Sequence, residues 1–366
     1  MTTSTKRTRT HRAGGLLAAA LAIAAVGLSA GCDPVVPMCD GRPATIVGTS
    51  GADTLTGTAG PDVIVGLAGN DTIDALGGND AVCAGLGVDD VDGGDDADLI
   101  DGSRDTDRLE GGAGSDTLSY ARHPWAVVVQ LDRGDGGDLD VVSGFEDVIG
   151  SPFDDFLIGD HLENRIVGGA GTDTLTGQAG NDQLIDGGSS DPDEENWFFG
   201  GPGNDIYYGG RSWDIASFRN SSAASLWINL GSGLAFGEGD DLLSGIDHVI
   251  GTDGPDRLTG DERRNVLAGL GGDDVITPAG GDDDVWGGEG RDQVSWFGAP
   301  GPITADLAAG TATGQGTDRL SEVEDLGGGN GNDSLTGDAG PNIIDGSNGS
   351  DSCVGGGGLD TFFRCP

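Results

Sequence analysis

The sequence has few basic and few hydrophobic residues. Only 18 Lys and Arg oppose 62 Asp and Glu, which gives a formal net charge of −44. Apolar residues make up 36% of the 366 positions and aromatic residues 5%, too few for an ordinary two-layer core in a chain of this length. So acidic a surface repels phosphates and excludes a nucleic-acid binder. By charge and hydropathy alone, the chain lies near the intrinsically disordered class.

Glycine, by contrast, is abundant, with 72 residues. The glycines do not recur at every third position, and this excludes a collagen triple helix. Two classes of protein remain. One is an acidic disordered polymer, and the other is a fold that becomes stable once its carboxylates are neutralised.

A nine-residue period decides between these classes. From Gly48 to Ser119 the chain divides into consecutive nonapeptides, the first three being GTSGADTLT, GTAGPDVIV and GLAGNDTID. Throughout this block the sixth residue is Asp and the eighth is aliphatic. Glycines at the first and fourth positions are expected to allow positive φ in a six-residue turn. The last three residues suit a short strand whose middle side chain points inward. Two repeats make one coil, so each turn stacks on the turn 18 residues later.

Three longer segments interrupt this period. Each opens with an aromatic residue (Tyr120, Phe218 or Trp296) and continues with an alternating apolar strand, a Gly-rich stretch and an Asp-x-aliphatic-Ser motif. We expect each segment to form one wide coil that carries a protruding loop. The predicted organisation is a signal segment (1–31), an anchor and cap (32–47), four repeat blocks (48–119, 150–217, 251–295 and 328–366) and three inserts (120–149, 218–250 and 296–327).

The sixth-position carboxylates are the candidate metal ligands. Stacking places pairs such as Asp53 and Asp71 close together, where like charges oppose folding and raise each other's pKa. Two carboxylates with several backbone carbonyls form an all-oxygen site that suits Ca²⁺, whereas Mg²⁺ needs a smaller octahedron and keeps its waters. The candidate ligands are Asp53, Asp62, Asp71, Asp80, Asp89, Asp98, Asp107, Asp116, Asp155, Asp173, Asp182, Asp205, Asp214, Asp256, Asp274, Asp283, Asp292, Asp333, Asp351 and Asp360.

Asparagine replaces aspartate in the second repeat after each insert, at Asn164, Asn265 and Asn342. An amide oxygen can still ligate Ca²⁺, but it brings no charge.

The phased Gly, Asp and aliphatic positions resemble the RTX, or hemolysin-type, calcium-binding repeat G-G-x-G-x-D-x-U-x, in which U is aliphatic. The resemblance covers nearly all of residues 39–365. It implies an all-β fold, a parallel β-roll (β-solenoid) of nonapeptide repeats with three wider inserted coils, and several Ca²⁺ ions held between stacked turns. Asp96 and Asp105 stand where the repeat has its fourth-position glycine, and we expect weaker sites in those turns.

The amino terminus has the pattern of an export signal. Lys6, Arg7, Arg9 and Arg12 precede an apolar stretch from Leu16 to Leu28 that is too short to favour a spanning helix. The following residues up to Cys32 resemble a bacterial lipobox, with Ser29 in the place of the usual Leu. Two alternatives remain, a lipid on Cys32 or ordinary cleavage after Ala30. Both predict an extracellular or cell-surface protein that contacts a membrane only through a lipid.

Four cysteines remain after Cys32, namely Cys39, Cys83, Cys353 and Cys365. An even number in an oxidising compartment suggests two disulfides, with free thiols as the alternative. Of the three pairings, the sequence positions favour Cys39–Cys83 and Cys353–Cys365. Residues 39–47 follow the repeat but have Ala44 in place of the Asp, and we expect them to form a cap that needs no ion.

No catalytic motif accompanies the repeats. The sequence contains no H-E-x-x-H, no G-x-S-x-G elbow and no P-loop, and we predict that the protein is not an enzyme. The predicted function is calcium binding by an exported roll with a structural or surface role, its folding coupled to extracellular Ca²⁺. The alternative is a calcium-dependent adhesin whose inserts, with Trp125, Trp227 and Trp296, bind a cell surface or polymer. The sequence does not define a protein or polysaccharide partner.

Overall fold

The computed structural model describes residues 36–188, 191 and 193–365. The predicted signal segment and Cys32 lie outside these residues. Within the described part of the chain, no helix is long and apolar enough to cross a membrane.

Each nonapeptide contributes one short strand, and successive strands alternate between two opposite faces of a roll. Thr54–Thr58 pairs with Thr72–Leu76, whereas the intervening Val63–Val65 pairs with Ala81–Cys83. Both pairings are parallel, and the register joins residues 18 positions apart. This confirms the predicted all-β parallel roll with two repeats in each coil.

We call the two opposite faces of the roll face A and face B. Face A contains, in stacking order, Ile46–Val47, Val63–Val65, Ala81–Cys83, Leu99–Asp101, Thr117–Ser119, Asp147–Ile149, Arg165–Val167, Gln183–Ile185, Ile206–Tyr208, Asp240–Ser244, Leu234–Phe236, Trp227–Asn229, Arg257–Thr259, Val275–Thr277, Gln293–Ser295, Asp325–Gly327, Ile343–Asp345 and Thr361–Phe363.

Face B consists of two sheets. The first contains Thr54–Thr58, Thr72–Leu76, Asp90–Asp95, Arg108–Ala113 and Val141–Ser143. The second contains Val128–Gln130, Phe156–Ile158, Thr174–Thr176, Glu195–Phe199, Trp213–Ser217, His248–Ile250, Val266–Gly271, Asp284–Glu289, Thr317–Ser321, Thr311–Thr313, Thr304–Asp306, Ser334–Thr336 and Ser352–Val354. The remaining elements are a hairpin of Met38–Cys39 with Arg42–Pro43 and two 3₁₀ turns, Leu131–Arg133 and Gly137–Leu139.

The core is the narrow space between the two faces. The eighth-position side chains fill it, and Ile64, Val82, Ile100 and Leu118 are fully buried. Because alternate residues of a strand point to opposite sides, each three-residue strand directs only its middle side chain inward. A single buried aliphatic side chain contributes roughly 1.5–3 kcal/mol, so the roll depends on many stacked copies.

The inserts belong to the same roll, but the expected protruding loop is wrong for the second and third inserts. In the second insert, Trp227–Asn229, Leu234–Phe236 and Asp240–Ser244 form an antiparallel meander inside face A. Its outer strands pair in parallel with the preceding coil at Ile206–Tyr208 and the following coil at Arg257–Thr259. The Gly-rich stretch therefore becomes a strand, because pairing satisfies the backbone groups that a loop would leave to solvent.

The third insert forms the same meander in face B. In the first insert the middle strand is reduced to two bridges, which Asp135 makes with Gln130 and Val141.

Both favoured disulfides are present, Cys39–Cys83 and Cys353–Cys365. The Met38–Cys39 hairpin lies on the outer side of face A, where Cys39 packs against Val63, Val65 and Ala81. The disulfide therefore joins Cys39 to the strand Ala81–Cys83, two coils further along the roll. The nine-residue spacing gives no indication of this placement of the hairpin.

Candidate metal centre

The sixth-position carboxylates stack in columns along the edges of the roll. In most of these carboxylates one oxygen receives a hydrogen bond from the backbone of the preceding coil. The Asp53 N–H donates to Asp71 Oδ1 at 2.8 Å, and the Asp62 N–H donates to Asp80 Oδ1 at 2.7 Å. The Asp71 N–H in turn donates to Asp89 Oδ1 at 2.8 Å. The Oδ1 atoms thus connect successive coils.

The second oxygen, Oδ2, has no hydrogen-bond donor in most of these carboxylates. Among the described residues, this oxygen is buried and unpartnered in Asp71, Asp80, Asp89, Asp98, Asp116, Asp173, Asp182, Asp205, Asp274, Asp283, Asp292 and Asp351. A buried anionic oxygen without a partner strongly opposes folding. Its recurrence at twelve equivalent positions indicates a ligand that the protein chain does not supply.

The first-position glycine makes room for this ligand. A Cβ on Gly66 would lie 2.5 Å from Asp71 Oδ2 and would also meet the carbonyl oxygen of Ala84, one coil later. A Cβ on Gly93 would likewise lie 2.7 Å from Asp98 Oδ2. Gly66 and Gly93 therefore each leave a space that a carboxylate oxygen and a carbonyl oxygen both face.

The expectation that first-position glycines adopt positive φ is wrong. Positive φ occurs at the second and fourth positions, as at Leu67 (+81°) and Gly69 (+127°), and Gly66 is not among the residues with positive φ. At Gly66 the first position requires glycine because its neighbours exclude a Cβ. The fourth-position glycine Gly69 has both constraints, since its Cβ would also lie 2.5 Å from the carbonyl carbon of Gly51 in the preceding coil.

Burial raises the pKa of several of these carboxyls in the metal-free fold, as at Asp98, Asp173 and Asp205. Loss of solvation raises the pKa of Asp98 to about 7, and the nearby charges of Asp80 and Asp116 add to the rise. The hydrogen bond from the Asp80 N–H opposes it but does not outweigh it. The same dominant cause raises the pKa of Asp173 to about 8 and that of Asp205 to about 7. Without a cation, the ionised columns therefore oppose folding at neutral pH.

The donor set is hard and consists only of oxygen. In the described part of the chain, no group of three or more His, Cys, Asp or Glu side chains is placed to hold a metal ion. Each candidate site instead combines carboxylates from the turns with backbone carbonyls. Such a set fits Ca²⁺ and lacks the nitrogen and sulfur ligands typical of zinc.

Comparison with known families agrees with this chemistry. The family model of the RTX calcium-binding nonapeptide repeat (4 copies) matches residues 47–82, 84–118, 162–191, 193–212, 243–262, 259–294 and 327–362, more than half of the chain. The chain belongs to this family. RTX repeats bind Ca²⁺ ions, and calcium is therefore the ligand of this protein. No curated protein matches the sequence.

Eight of the predicted RTX ligands differ from the twelve described above. In seven of them the second oxygen accepts a hydrogen bond within its own turn, as when the N–H and hydroxyl of Thr49 donate to Asp53 Oδ2 at 2.6 and 2.9 Å. The seven are Asp53, Asp62, Asp107, Asp155, Asp214, Asp256 and Asp333. The eighth, Asp360, lies in the last coil and accepts the Asn342 N–H at 3.0 Å.

The columns also contain side chains that the repeat pattern did not assign. Asp140, Asp241 and Asp318, from the inserts, accept the N–H groups of Asp107, Asp205 and Asp283 at 2.8, 3.0 and 3.2 Å. Glu146, Asp247 and Glu324 continue other columns, and Asn196 replaces aspartate in an enlarged repeat. The signal in the sequence was the Asp-x-aliphatic-Ser motif of each insert, which has the spacing of an RTX sixth position and eighth position.

At the end of one column, a side chain of the insert donates a hydrogen bond to the second oxygen of the last carboxylate. Asp140 Oδ2 accepts a hydrogen bond from the Tyr120 hydroxyl at 2.7 Å. Tyr120 opens the first insert, so the aromatic residue that marks the insert in the sequence also ends the column.

Proposed function

We propose that this protein is an exported RTX β-roll whose folding is coupled to extracellular Ca²⁺ and whose role is structural or at a surface. The observation that carries the proposal is the set of twelve buried carboxylate oxygens without donors. The aspartates that bear them, together with backbone carbonyls of adjacent coils, would hold the ions. A bound ion would supply the positive charge that makes burial of these oxygens favourable.

The net charge of −44 supports the coupling. A ligand that binds only the folded state stabilises it by mass action, by about 2.7 kcal/mol per site at a hundredfold excess over Kd. Several such sites bring a gain comparable with the whole stability of a typical domain. In the cytosol, where free calcium is low, the same logic keeps the chain unfolded and competent for export.

Circular dichroism of the mature chain in EGTA and in millimolar Ca²⁺ tests this proposal. We expect most of the strand signal to be lost in EGTA and to return as Ca²⁺ is added. Mg²⁺ at the same concentration serves as the control and should restore much less, because it keeps its waters. A full strand signal in EGTA would refute coupled folding, and an absence of calcium binding by calorimetry would refute the function itself.

A second candidate is a calcium-dependent adhesin, which exposed aromatic residues of the inserts support. Trp227 is 39% exposed and stacks on Phe236 with ring centroids 5.2 Å apart, and Trp125 is 49% exposed. Trp296, expected to take part, is 1% exposed and belongs to the core instead. Binding of the calcium-loaded protein to cellulose, and its loss in a Trp227→Ala variant, would support a role in binding neutral polymers. Equal binding by the variant would exclude this pair as the contact.

A further inference from the structure

The turns of the roll adopt two conformations, which we call open and closed. In an open turn the second residue has positive φ, as at Leu67 (+81°) in the turn of Asp71. All twelve aspartates with a buried, unpartnered Oδ2 lie in open turns. Their second residues are Leu67, Leu76, Gly85, Gly94, Gly112, Gly169, Gln178, Gly201, Leu270, Ala279, Gly288 and Ser347.

In a closed turn the second residue is not among those with positive φ, and its backbone N–H donates to the sixth-position side chain. The Gly210 N–H donates to Asp214 Oδ2 at 2.6 Å, which shows that a glycine at the second position does not by itself open a turn. The second residues of the closed turns are Thr49, Thr58, Ser151, Asp160, Gly210, Thr252, Asp261, Gly329 and Asp338. A closed turn thus satisfies from its own backbone the oxygen that these twelve open turns leave without a donor.

Three closed turns carry asparagine, and each asparagine connects two coils directly. Their Oδ1 atoms accept the N–H groups of Asp160, Asp261 and Asp338 at 2.7, 2.8 and 2.9 Å. The Nδ2 atoms of Asn164, Asn265 and Asn342 donate to the carbonyls of Glu146, Asp247 and Glu324 at 3.0, 2.9 and 2.7 Å. Because a backbone N–H only donates and a carbonyl only accepts, these partners fix the amide orientation. The amide oxygens are thus occupied within their own turns, which differs from the ligand role expected for them.

The carbonyls that receive these amides are largely released from the regular ladder. Elsewhere such a carbonyl accepts the N–H of the residue 19 positions later, as when Thr72 donates to Asp53 at 2.9 Å. At two of the three asparagines, the N–H of the residue 19 positions later donates to a side chain instead of to this carbonyl. Val266 donates to His248 Nδ1 at 2.9 Å, and Ile343 donates to Asp325 Oδ1 at 2.7 Å. Arg165 keeps only a longer bond of 3.3 Å to Glu146.

Each asparagine turn belongs to a coil that follows an insert. The inserts or the strands beside them bury three of the largest side chains of the core, Tyr120, Tyr207 and Trp296, almost completely. An aromatic side chain buries more apolar area than the single aliphatic residue of an ordinary repeat. The coils around the inserts therefore have both a neutral hydrogen-bonded connection and a larger core.

We infer that the coil that follows each insert is held to the insert without calcium by its asparagine turn, and that calcium binds only at the runs of open turns in the rest of the roll. The statement that calcium binds at the open turns rests on the proposed function. The statement that the asparagine turns hold their coils without calcium rests on the hydrogen bonds alone. The roll would then keep three local structures in the absence of calcium, and each would template the open turns beside it when calcium arrives.

A reciprocal exchange within one column tests this inference. Asn164 and Asp182 occupy the sixth positions of successive coils, and the Asn164 N–H donates to Asp182 Oδ1 at 2.8 Å. Asn164→Asp places an anionic oxygen against the Glu146 carbonyl. The variant should keep the calcium count measured by native mass spectrometry but lose hydrogen-exchange protection at Asp147–Ile149 in EGTA. Asp182→Asn should lose one or two calcium ions and keep that protection.

Asn164→Ala, which removes both amide bonds without adding charge, covers the case in which Asn164→Asp does not fold. Two results would overturn the inference. One is that, in the wild-type protein in EGTA, Asp147–Ile149 exchanges as fast as the open-turn strand Val275–Thr277. The other is a loss of ions in Asn164→Ala equal to that in Asp182→Asn. A wild-type chain that binds no calcium would refute the proposed function, while its exchange pattern in EGTA would still decide the metal-free part.

Discussion

Acidification in the presence of a chelator should promote folding of this protein. Five carboxyls of the metal-free roll, Asp98, Asp107, Asp205, Asp274 and Asp283, have pKa values raised from the ordinary 3.8 to about 7. The folded state therefore binds more protons than the unfolded state between pH 4 and 7. By linkage, the stability of the metal-free fold rises as the pH falls through this window and is lost as the pH rises through the folded-state pKa values.

The size of the effect follows from the shift for one carboxyl. Asp98 is 2% exposed, and a rise of its pKa from 3.8 to about 7 corresponds to about 4 kcal/mol of destabilisation once the pH exceeds 7. Neighbouring carboxyls are coupled, so their contributions do not add in full. The destabilisation from two or three ionised carboxyls nevertheless equals the 5–15 kcal/mol stability of a typical domain. The ionised columns are thus sufficient to unfold the runs of open turns of the metal-free roll at pH 8.

The assay is circular dichroism of the mature chain in EGTA at a series of pH values from 8 to 5, above the sequence pI of about 4.1. We expect the strand signal to grow as the pH falls, with a midpoint between pH 5 and 7. In Ca²⁺ the dependence should reverse, because protons compete with the ions for the same oxygens.

Asp98→Asn is the matched control for this experiment. In the wild type the Asp80 N–H lies 2.8 Å from Asp98 Oδ1. The amide of the variant keeps an oxygen that accepts this hydrogen bond, and the substitution removes one buried charge. The variant should fold at a higher pH in EGTA and bind fewer calcium ions than the wild type. A strand signal in EGTA that stays constant or falls between pH 8 and 5 would refute the reasoning.

Two further predictions concern the glycine spacing and the carboxyl-terminal disulfide. Gly66→Ala places a Cβ 2.5 Å from Asp71 Oδ2 and should remove one or two calcium ions, whereas Gly51→Ala, which meets open space, should leave the count by native mass spectrometry unchanged. Equal counts in both variants would contradict the role given to the first-position glycine. Replacing Cys353 and Cys365 together by Ser should destabilise the last coils by about 3 kcal/mol, because the bond restricts the unfolded chain across a sequence separation of 12. Hydrogen exchange at Thr361–Phe363 in Ca²⁺ should accelerate, and an unchanged rate would show that packing alone holds this end.

Several features of the fold follow directly from the nine-residue period. A side chain that recurs every nine residues, with turns between short strands, requires alternate strands on two faces and a register of 18. Leu55 opposite Ile73 and Ile64 opposite Val82 are the outcome. The period also places Asp53, Asp71 and Asp89 in one column, and the abundance of acidic residues makes the need for a cation evident.

The inserts could be recognised from the sequence but not traced. Their Gly-rich stretches have the composition of loops, and only the exposed backbone groups of the neighbouring coils convert Leu234–Phe236 into the middle strand of a meander. The position of Cys39 has a similar origin. The hairpin that carries it covers the outward-facing Val63 and Val65, a contact that no local pattern records.

The period thus determined by itself the stacking of short strands and their register, and the resemblance to the RTX repeat identified the cation. Only the tertiary structure decided which carboxylates are free to bind it, because that depends on the backbone conformation at the second position and on donors from the same turn. Leu67 and Gln178 adopt positive φ although neither is glycine, and Gly210 does not. The same limit applies to Asn164, whose amide has a defined role only because a carbonyl 18 residues earlier lies within hydrogen-bond distance.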